Sequence, residues 1–526
     1  MSVGPADAPP ESDAVSPGAG KGVPQGLTRR AIGGMFWTLS GTGLQGVVQL
    51  LVLMVLGRLL TPAEFGIMGA ATVIVALSQI VSQIGVGPAI IQRRELDPIH
   101  IRVAATLSFL LGLVLGAVVF FGAPLIAKFY RIPEVEPVLR LVAFMFPLDG
   151  LNTVSKALLT RQLRFRLYVA LDVGSYIIGF AVVGVLLAWH GAGVWSLAIA
   201  NLCQVGLRML AMYTAARHSL RPSFNAAASR DLLSYGFGHS LGQVGAVISQ
   251  QGDNFFVGRW LGPAALGLYG RAYSLMVMPA TAFGRIVMRV LFPLLSQLQD
   301  ERGRLGNAYE RGLAIVALVS LPVSTFLWVL APEFISVVLG PAWSGVVMPF
   351  RMFSISLLFR MSSRISDECS KAAGRVYGRA VLVWVYAGLV VLGATVGQRW
   401  GIGGVAIGVS FAMAFNWVSM AWLTRSVTGV TWARFFLAHL PAAVLATLVA
   451  LTAAAAAQAG HSVHLRSLAV LATSGLAAGA VAFFAARLWP EVFLGPHGTW
   501  AFRRVEDLLR RRSARLTLAA ERARAE

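Results

Sequence analysis

Residues 103–127 contain no charged side chain, and neither do residues 65–91 or 381–396. An apolar run of about 20 residues matches, at the rise of an α-helix, the ~30 Å hydrocarbon core of a bilayer. No water is present there to satisfy stray backbone groups, so a spanning run has to be helical. This pattern restricts the chain to an all-α polytopic membrane protein. The composition agrees: 56% hydrophobic and 13% charged, about half the charged share of a soluble chain.

Fourteen helices fit, near 33–56, 65–91, 102–127, 138–160, 168–189, 192–216, 232–258, 264–290, 306–330, 344–369, 378–398, 402–426, 435–457 and 465–487. The connections are too short for a soluble domain. The net charge of +21 sits mostly between the apolar blocks, which makes it a topology signal and a contact for anionic lipid rather than a nucleic-acid surface. One set of alternate connections carries Arg93, Arg94 and Arg102, then Lys156, Arg161, Arg164 and Arg166, then Lys371, Arg375 and Arg379. The other carries mainly Arg58, Lys128, Arg131, Arg259, Arg399 and Arg466. The richer set marks the cytoplasm. Both termini are then cytoplasmic, as an even helix count requires.

Residues 1–28, rich in Pro, Gly, Ala and Ser, read as a disordered cytoplasmic N-terminus. The block that follows is too long for a signal peptide. Residues 491–526 read as a basic cytoplasmic tail; its end is either a helix lying on the inner membrane surface or a solvated tail. Cys203 and Cys369 belong to no disulfide or zinc pattern, and His461 and His464 read as surface residues of a short loop.

An internal repeat sets the architecture. At an offset of 201 residues, Gly57, Arg58, Leu60, Pro62, Ala63, Gly66, Gly69 and Ala71 meet Gly258, Arg259, Leu261, Pro263, Ala264, Gly267, Gly270 and Ala272. Weaker matches place Ser155 with Ser370, and Gly191 and Gly193 with Gly401 and Gly403. The first six helices therefore pair with the next six: an N-lobe over 29–220, a C-lobe over 221–430, and an unpaired thirteenth and fourteenth helix over 431–490. Six is even, so the lobes enter the membrane from the same side as parallel repeats bracketing a central cavity.

The GRxLxPAxxGxxG element and its second copy, with fourteen helices and cytoplasmic termini, resemble the polysaccharide transporter family of the multidrug/oligosaccharidyl-lipid/polysaccharide exporter superfamily. Within it the resemblance is to Wzx-type, colanic-acid-exporter-like flippases, over about residues 30–490. It implies a flippase of the bacterial inner membrane. Its substrate would be an undecaprenyl-pyrophosphate-linked oligosaccharide for exopolysaccharide, capsule or O-antigen synthesis. Partners implied are membrane lipids, a polysaccharide polymerase and glycosyltransferases. A peptidoglycan-precursor (lipid II) flippase and a drug or cation antiporter of the same superfamily stand as alternatives. An enzyme would need a nucleophile–base constellation or a large outer loop, and neither is present in the sequence.

Moving a charged sugar–pyrophosphate through lipid calls for a hydrophilic cavity holding cations. Arg271 and Arg360 are candidates, because a guanidinium can bind phosphate or carboxylate bidentately. Arg364, Arg285 and Arg289 lie near inner helix ends, where they read either as substrate contacts or as side chains snorkelling to headgroups; Arg351 lies on the same helix as Arg360. Gln45 with Gln49 and Gln79 with Gln83 are each four apart, hence on one helix face. Gln250 falls on Gln49 under the repeat. With Gln243, Gln251 and Asn254 these amides read either as a sugar path or as interhelical glue. Asp149 and Asp253 are candidates for proton or sodium coupling or for pairing with arginine; Asp172 is a further acid. A local helix break is expected near Asp149, beside Pro147 and Gly150. No resident cofactor or metal is called for. In the motif, Thr61 and Glu64 read as a capping box around Pro62. Gly66, Gly69, Gly267 and Gly270 read as close-packing positions, with Pro263 starting the second helix. Arg58 and Arg259 are expected at headgroups.

Overall fold

The structure is a computed structural model and describes residues 43–82, 86–93, 96–298, 301–500 and 502–503. Side chains at 79–82, 88, 92, 227–228, 231–243, 282–294, 296 and 376 lie outside that description. So do residues 1–28 and nearly all of the basic tail beyond Trp500, both assigned above, as well as Gln83 and the side chains of Gln79, Gln243, Arg285 and Arg289.

The described residues are helical almost throughout, with no strand among them. The chain runs α1 Gly43–Leu59, α2 Pro62–Ser82, α3 Val86–Gln92, α4 Pro98–Tyr130, α5 Val135–Ala143, α6 Met145–Arg161 and α7 Phe165–Trp189. It continues with α8 Val194–Ala215, then α9 (226–261) and α10 (263–297), which meet at Gly262. There follow α11 Arg302–Val329, α12 Ala331–Val338, α13 Val347–Ala372, α14 Val376–Gly397, α15 Gly401–Thr428, α16 Trp432–Leu437, α17 Leu440–Ser462 and α18 Ser467–Leu488. The described part of each of the fourteen expected blocks is mostly helical. Among the described residues, nine helical stretches are long and apolar enough to cross a membrane, one of them the joined pair Tyr377–Thr428. The expected span 65–91 is helical as α2 and α3 on either side of residues 83–85, which lie outside the described residues.

In the first half α4 packs on α6, and α8 on both α6 and α7; in the second, α13 packs on α11 and α15, and α14 on α15. α17 lies against α11 and α18 against α17, so the extra pair is attached to the second half. The weaker repeat matches occupy equivalent places. Ser155, at the end of α6, bonds His218 beyond α8 at 3.2 Å, and Ser370, at the end of α13, bonds Thr424 of α15 at 3.1 Å. Gly191, just before α8, and Gly401, at the start of α15, both have positive φ.

The helix break expected near Asp149 lies earlier, at Phe144, between α5 and α6. Pro147 falls in the first turn of α6, where its missing N–H costs nothing. Gly150 serves packing instead: a Cβ there would run into the Ser108 carbonyl, and one on Gly112 into that of Phe146, so the α4 and α6 backbones touch.

Candidate functional site

The two copies of the repeated motif meet each other. A Cβ on Gly66 would collide with the Pro263 carbonyl, and a Cβ on Gly267 with the Pro62 carbonyl. The first turns of α2 and α10 are thus in reciprocal backbone contact, which only glycine permits. Gly69 and Gly270 do not share this role. An added Cβ would lie 3.5 Å from Leu266 at the first and 3.8 Å from Asn254 at the second, which is ordinary contact.

Each Gly–Arg pair also reaches across to the other half. Gly57 O accepts from Trp343 Nε1 at 2.7 Å, and Arg58 Nη2 donates to Val337 O at 2.7 Å. In the second copy, Arg259 lies over the Phe129 ring at 5.3 Å, and Gly258 abuts Tyr130. Both arginines, expected at headgroups, reach the opposite half: Arg58 the segment that follows α11, and Arg259 the last turn of α4. The capping box is present in the first copy only. Thr61 N and Oγ1 donate to Glu64 Oε2 at 2.6 and 2.9 Å, whereas the second copy turns through Gly262 at φ +83°.

Beneath this contact lies a cavity of about 540 Å³ walled by α1, α2, α7, α8, α9, α10 and α13. Arg271, Arg360, Gln49 and Gln250 line it, as do Gln251 and Asn254. No Asp or Glu does. Arg271 lies over the Phe65 ring at 4.8 Å, and its Nε, buried, has no hydrogen-bond partner. Phe65 is held edge-on by Trp343 at 5.3 Å, so the ring beneath the guanidinium is fixed by the same Trp that bonds Gly57. Arg360 Nη1 donates to Tyr273 Oη at 2.9 Å, and its Nε is buried without a partner. Burying cations without carboxylates is costly unless an anion arrives to neutralise them.

The candidate acids lie outside this wall. Asp149 and Asp172 share Arg208, at 2.8 and 3.6 Å, and Gln45 Nε2 donates to Asp172 at 3.4 Å. This cluster joins α1, α6, α7 and α8. Arg208 was not singled out from sequence; a lone arginine within the sixth block was itself the signal that an intramembrane acid had to face it. Asp253 is 1% exposed. It accepts from Tyr269 Oη at 2.7 Å and from the Asn254 N–H at 2.8 Å. Arg364 lines a second, smaller cavity together with Arg360 and Gln250. Arg351 turns away, donating to Trp328 O at 3.2 Å. His461 pairs with Glu333 at 3.0 Å and ties α17 to α12. Cys203 and Cys369 are free, and no metal-ligand cluster occurs among the described residues.

The model of a family described as polysaccharide biosynthesis protein matches residues 55–348. The chain belongs to that family. It is a multi-pass bacterial membrane protein with an all-α exporter fold. It is 26% identical over 495 residues, 91% of this chain and 95% of the relative, to the succinoglycan biosynthesis transport protein ExoT of Rhizobium meliloti. The lipopolysaccharide biosynthesis protein WzxC of Escherichia coli is 24% identical over 423 residues, 78% of this chain and 84% of the relative. Among solved structures, a lipid II flippase, MurJ, in an inward closed conformation superposes with TM-score 0.70 at 14% identity, covering 86% of this chain and 98% of that one. An inward-facing multidrug transporter of the MATE family superposes with TM-score 0.59 at 18% identity, covering 75% and 98%. These likenesses establish a shared fold.

Proposed function

We propose that this chain is a flippase, not an enzyme. It translocates an undecaprenyl-pyrophosphate-linked oligosaccharide across the bacterial cytoplasmic membrane for surface polysaccharide synthesis. Its fourteen crossings form two six-helix lobes, divided near residue 220, and an added pair over 431–490, with both termini cytoplasmic. The observation that carries the reading is the cavity between the halves: among the described residues, its wall holds two arginines, several amides and no carboxylate. Such a wall suits an anionic, hydroxyl-rich head. An antiporter for cationic drugs would require the opposite sign. A lipid II flippase faces the same electrostatics as the proposed activity; the polysaccharide relatives favour the latter.

In this reading the motif end is extracytoplasmic. The described state is closed there by the Gly66–Gly267 contact, and rocking of the lobes must separate it. Gln79 and Gln83 are proposed as further substrate contacts. Asp149, sharing Arg208 with Asp172, and Asp253 are the proposed sites where a proton or sodium ion would couple. A polymerase and glycosyltransferases are the proposed functional partners, consuming and supplying the lipid-linked unit.

Deleting the gene is expected to abolish surface polysaccharide and leave intact lipid-linked units in the inner leaflet. Arg271→Ala and Arg360→Ala are expected to do the same at normal protein level. Normal export by both variants would refute the arginine cavity. A flip rate in vesicles indifferent to both pH and sodium gradients would remove Asp149 and Asp253 as coupling sites.

A further inference from the structure

Among the described residues, the smaller cavity, about 210 Å³, is walled by α9, α13, α14 and α15. Gln250 and Arg360 line both cavities, so it is a side chamber off the central one. The central cavity has walls from both halves, and its shape changes whenever they rock. The side chamber lies within one half and moves as part of it. A group seated there stays held through the transition. At this volume it is below the usual range for drug-sized ligands and on the scale of a single sugar ring.

Its wall is polar and cationic. Arg379 pairs with Asp367, and Lys371 pairs with Asp367 and Glu368, so these four charges cancel. Arg360 adds positive charge. Asp253, within electrostatic reach of Arg360, does not line the chamber and is held by Tyr269 and a backbone N–H. Among the described residues, the Tyr386 hydroxyl and the Asn416 amide form no hydrogen bond although both line the chamber. The buried Arg360 Nε also has no partner. Half-buried polar groups that no protein partner satisfies are suited to a ligand that completes them.

We propose that this side chamber is a subsite for a carboxylate-bearing sugar residue of the transported unit. The assignment rests on the flippase reading above. The pyrophosphate is tethered to a lipid tail that stays in the membrane. The group that can enter a chamber inside one lobe therefore comes from the sugar end of the substrate. The Arg360 guanidinium meets the carboxylate, while Asn416 and Tyr386 meet ring hydroxyls. Units bearing an acidic sugar are retained through rocking; neutral units lack this hold.

The test uses the full-length protein in detergent, with saturation-transfer NMR for methyl glucuronide and methyl glucoside and ³¹P line broadening for inorganic pyrophosphate. Wild type is expected to bind the glucuronide at least tenfold more tightly than the glucoside. Asn416→Leu and Tyr386→Phe, which do not line the central cavity, are expected to lose that preference while pyrophosphate broadening persists. That persistence shows that the variants fold. Arg271→Ala is expected to lose the pyrophosphate signal. Glucuronide binding unchanged in both chamber variants, or no preference over glucoside in wild type, overturns the subsite and leaves the flippase reading standing. Failure of wild type to bind either anion overturns both.

Discussion

The two copies of the motif are alike in one respect and different in another. Both keep the glycine that lets α2 and α10 touch through their backbones, at Gly66 and Gly267. Only the first copy adds directional polar bonds: Trp343 to Gly57, Arg58 to Val337, and the Thr61–Glu64 box. The second relies on the aromatic contacts of Arg259 and Gly258. Backbone contact admits no substitute for glycine, so the duplication retained it on both sides. The polar accessories could diverge, leaving a stiff side and a loose one. Opening of this end is therefore expected to begin at the second copy.

The comparison breaks most sharply at Gly66. Gly66→Ala puts a methyl group into a carbonyl that cannot move aside, and export is expected to fall at least tenfold at normal protein level. Gly69→Ala, with room for its methyl, is expected to keep export within twofold. Equal export by the two variants would mean that the close approach plays no part in the cycle. Next comes the polar latch. Trp343→Phe removes one hydrogen bond of about 1 kcal/mol, a shift of about fivefold toward the open form. Labelling of a Cys introduced at Leu56, which lines the cavity at the motif end, should rise by that factor. Arg259→Ala forfeits a partly exposed cation–π contact of ~0.5 kcal/mol, and the same label should rise about twofold; a larger rise than for Trp343→Phe would reverse the assignment of stiff and loose sides. Thr61→Ala is expected to have the smallest effect, a loss of ~0.5–1 kcal/mol in stability from the lost cap with export retained. Ala265→Glu in the second copy should not compensate, because Gly262 supplies no hydroxyl to complete a box.

Much of this arrangement was readable in the chain. Apolar run length gave the helices, and the 201-residue offset gave the duplication. Intramembrane cost pointed to Arg271, Arg360, Gln49 and Gln250, and all four line the central cavity. What periodicity does not carry is which faces meet across long sequence separations. The contacts of Arg58 with Val337 and of Trp343 with Gly57 span 279 and 286 residues, and nothing local to Arg58 distinguishes a neighbouring carbonyl from a lipid headgroup. The same holds for Asp149, whose partner Arg208 lies two helices further on. Gly150 was misread for a related reason. Beside a proline, a packing glycine and a helix-weakening one look alike until the crossing helix, α4, is in place.

The central claim is that the arginine-lined cavity carries an anionic lipid-linked glycan from one leaflet to the other. The most direct measurement is translocation of the cell's own lipid-linked repeat unit in proteoliposomes, read as its accessibility to an enzyme added outside. Wild-type protein is expected to move the unit at a rate well above protein-free liposomes, and Arg271→Ala to abolish that excess. Translocation by Arg271→Ala at the wild-type rate, or no excess with wild type, would contradict the account.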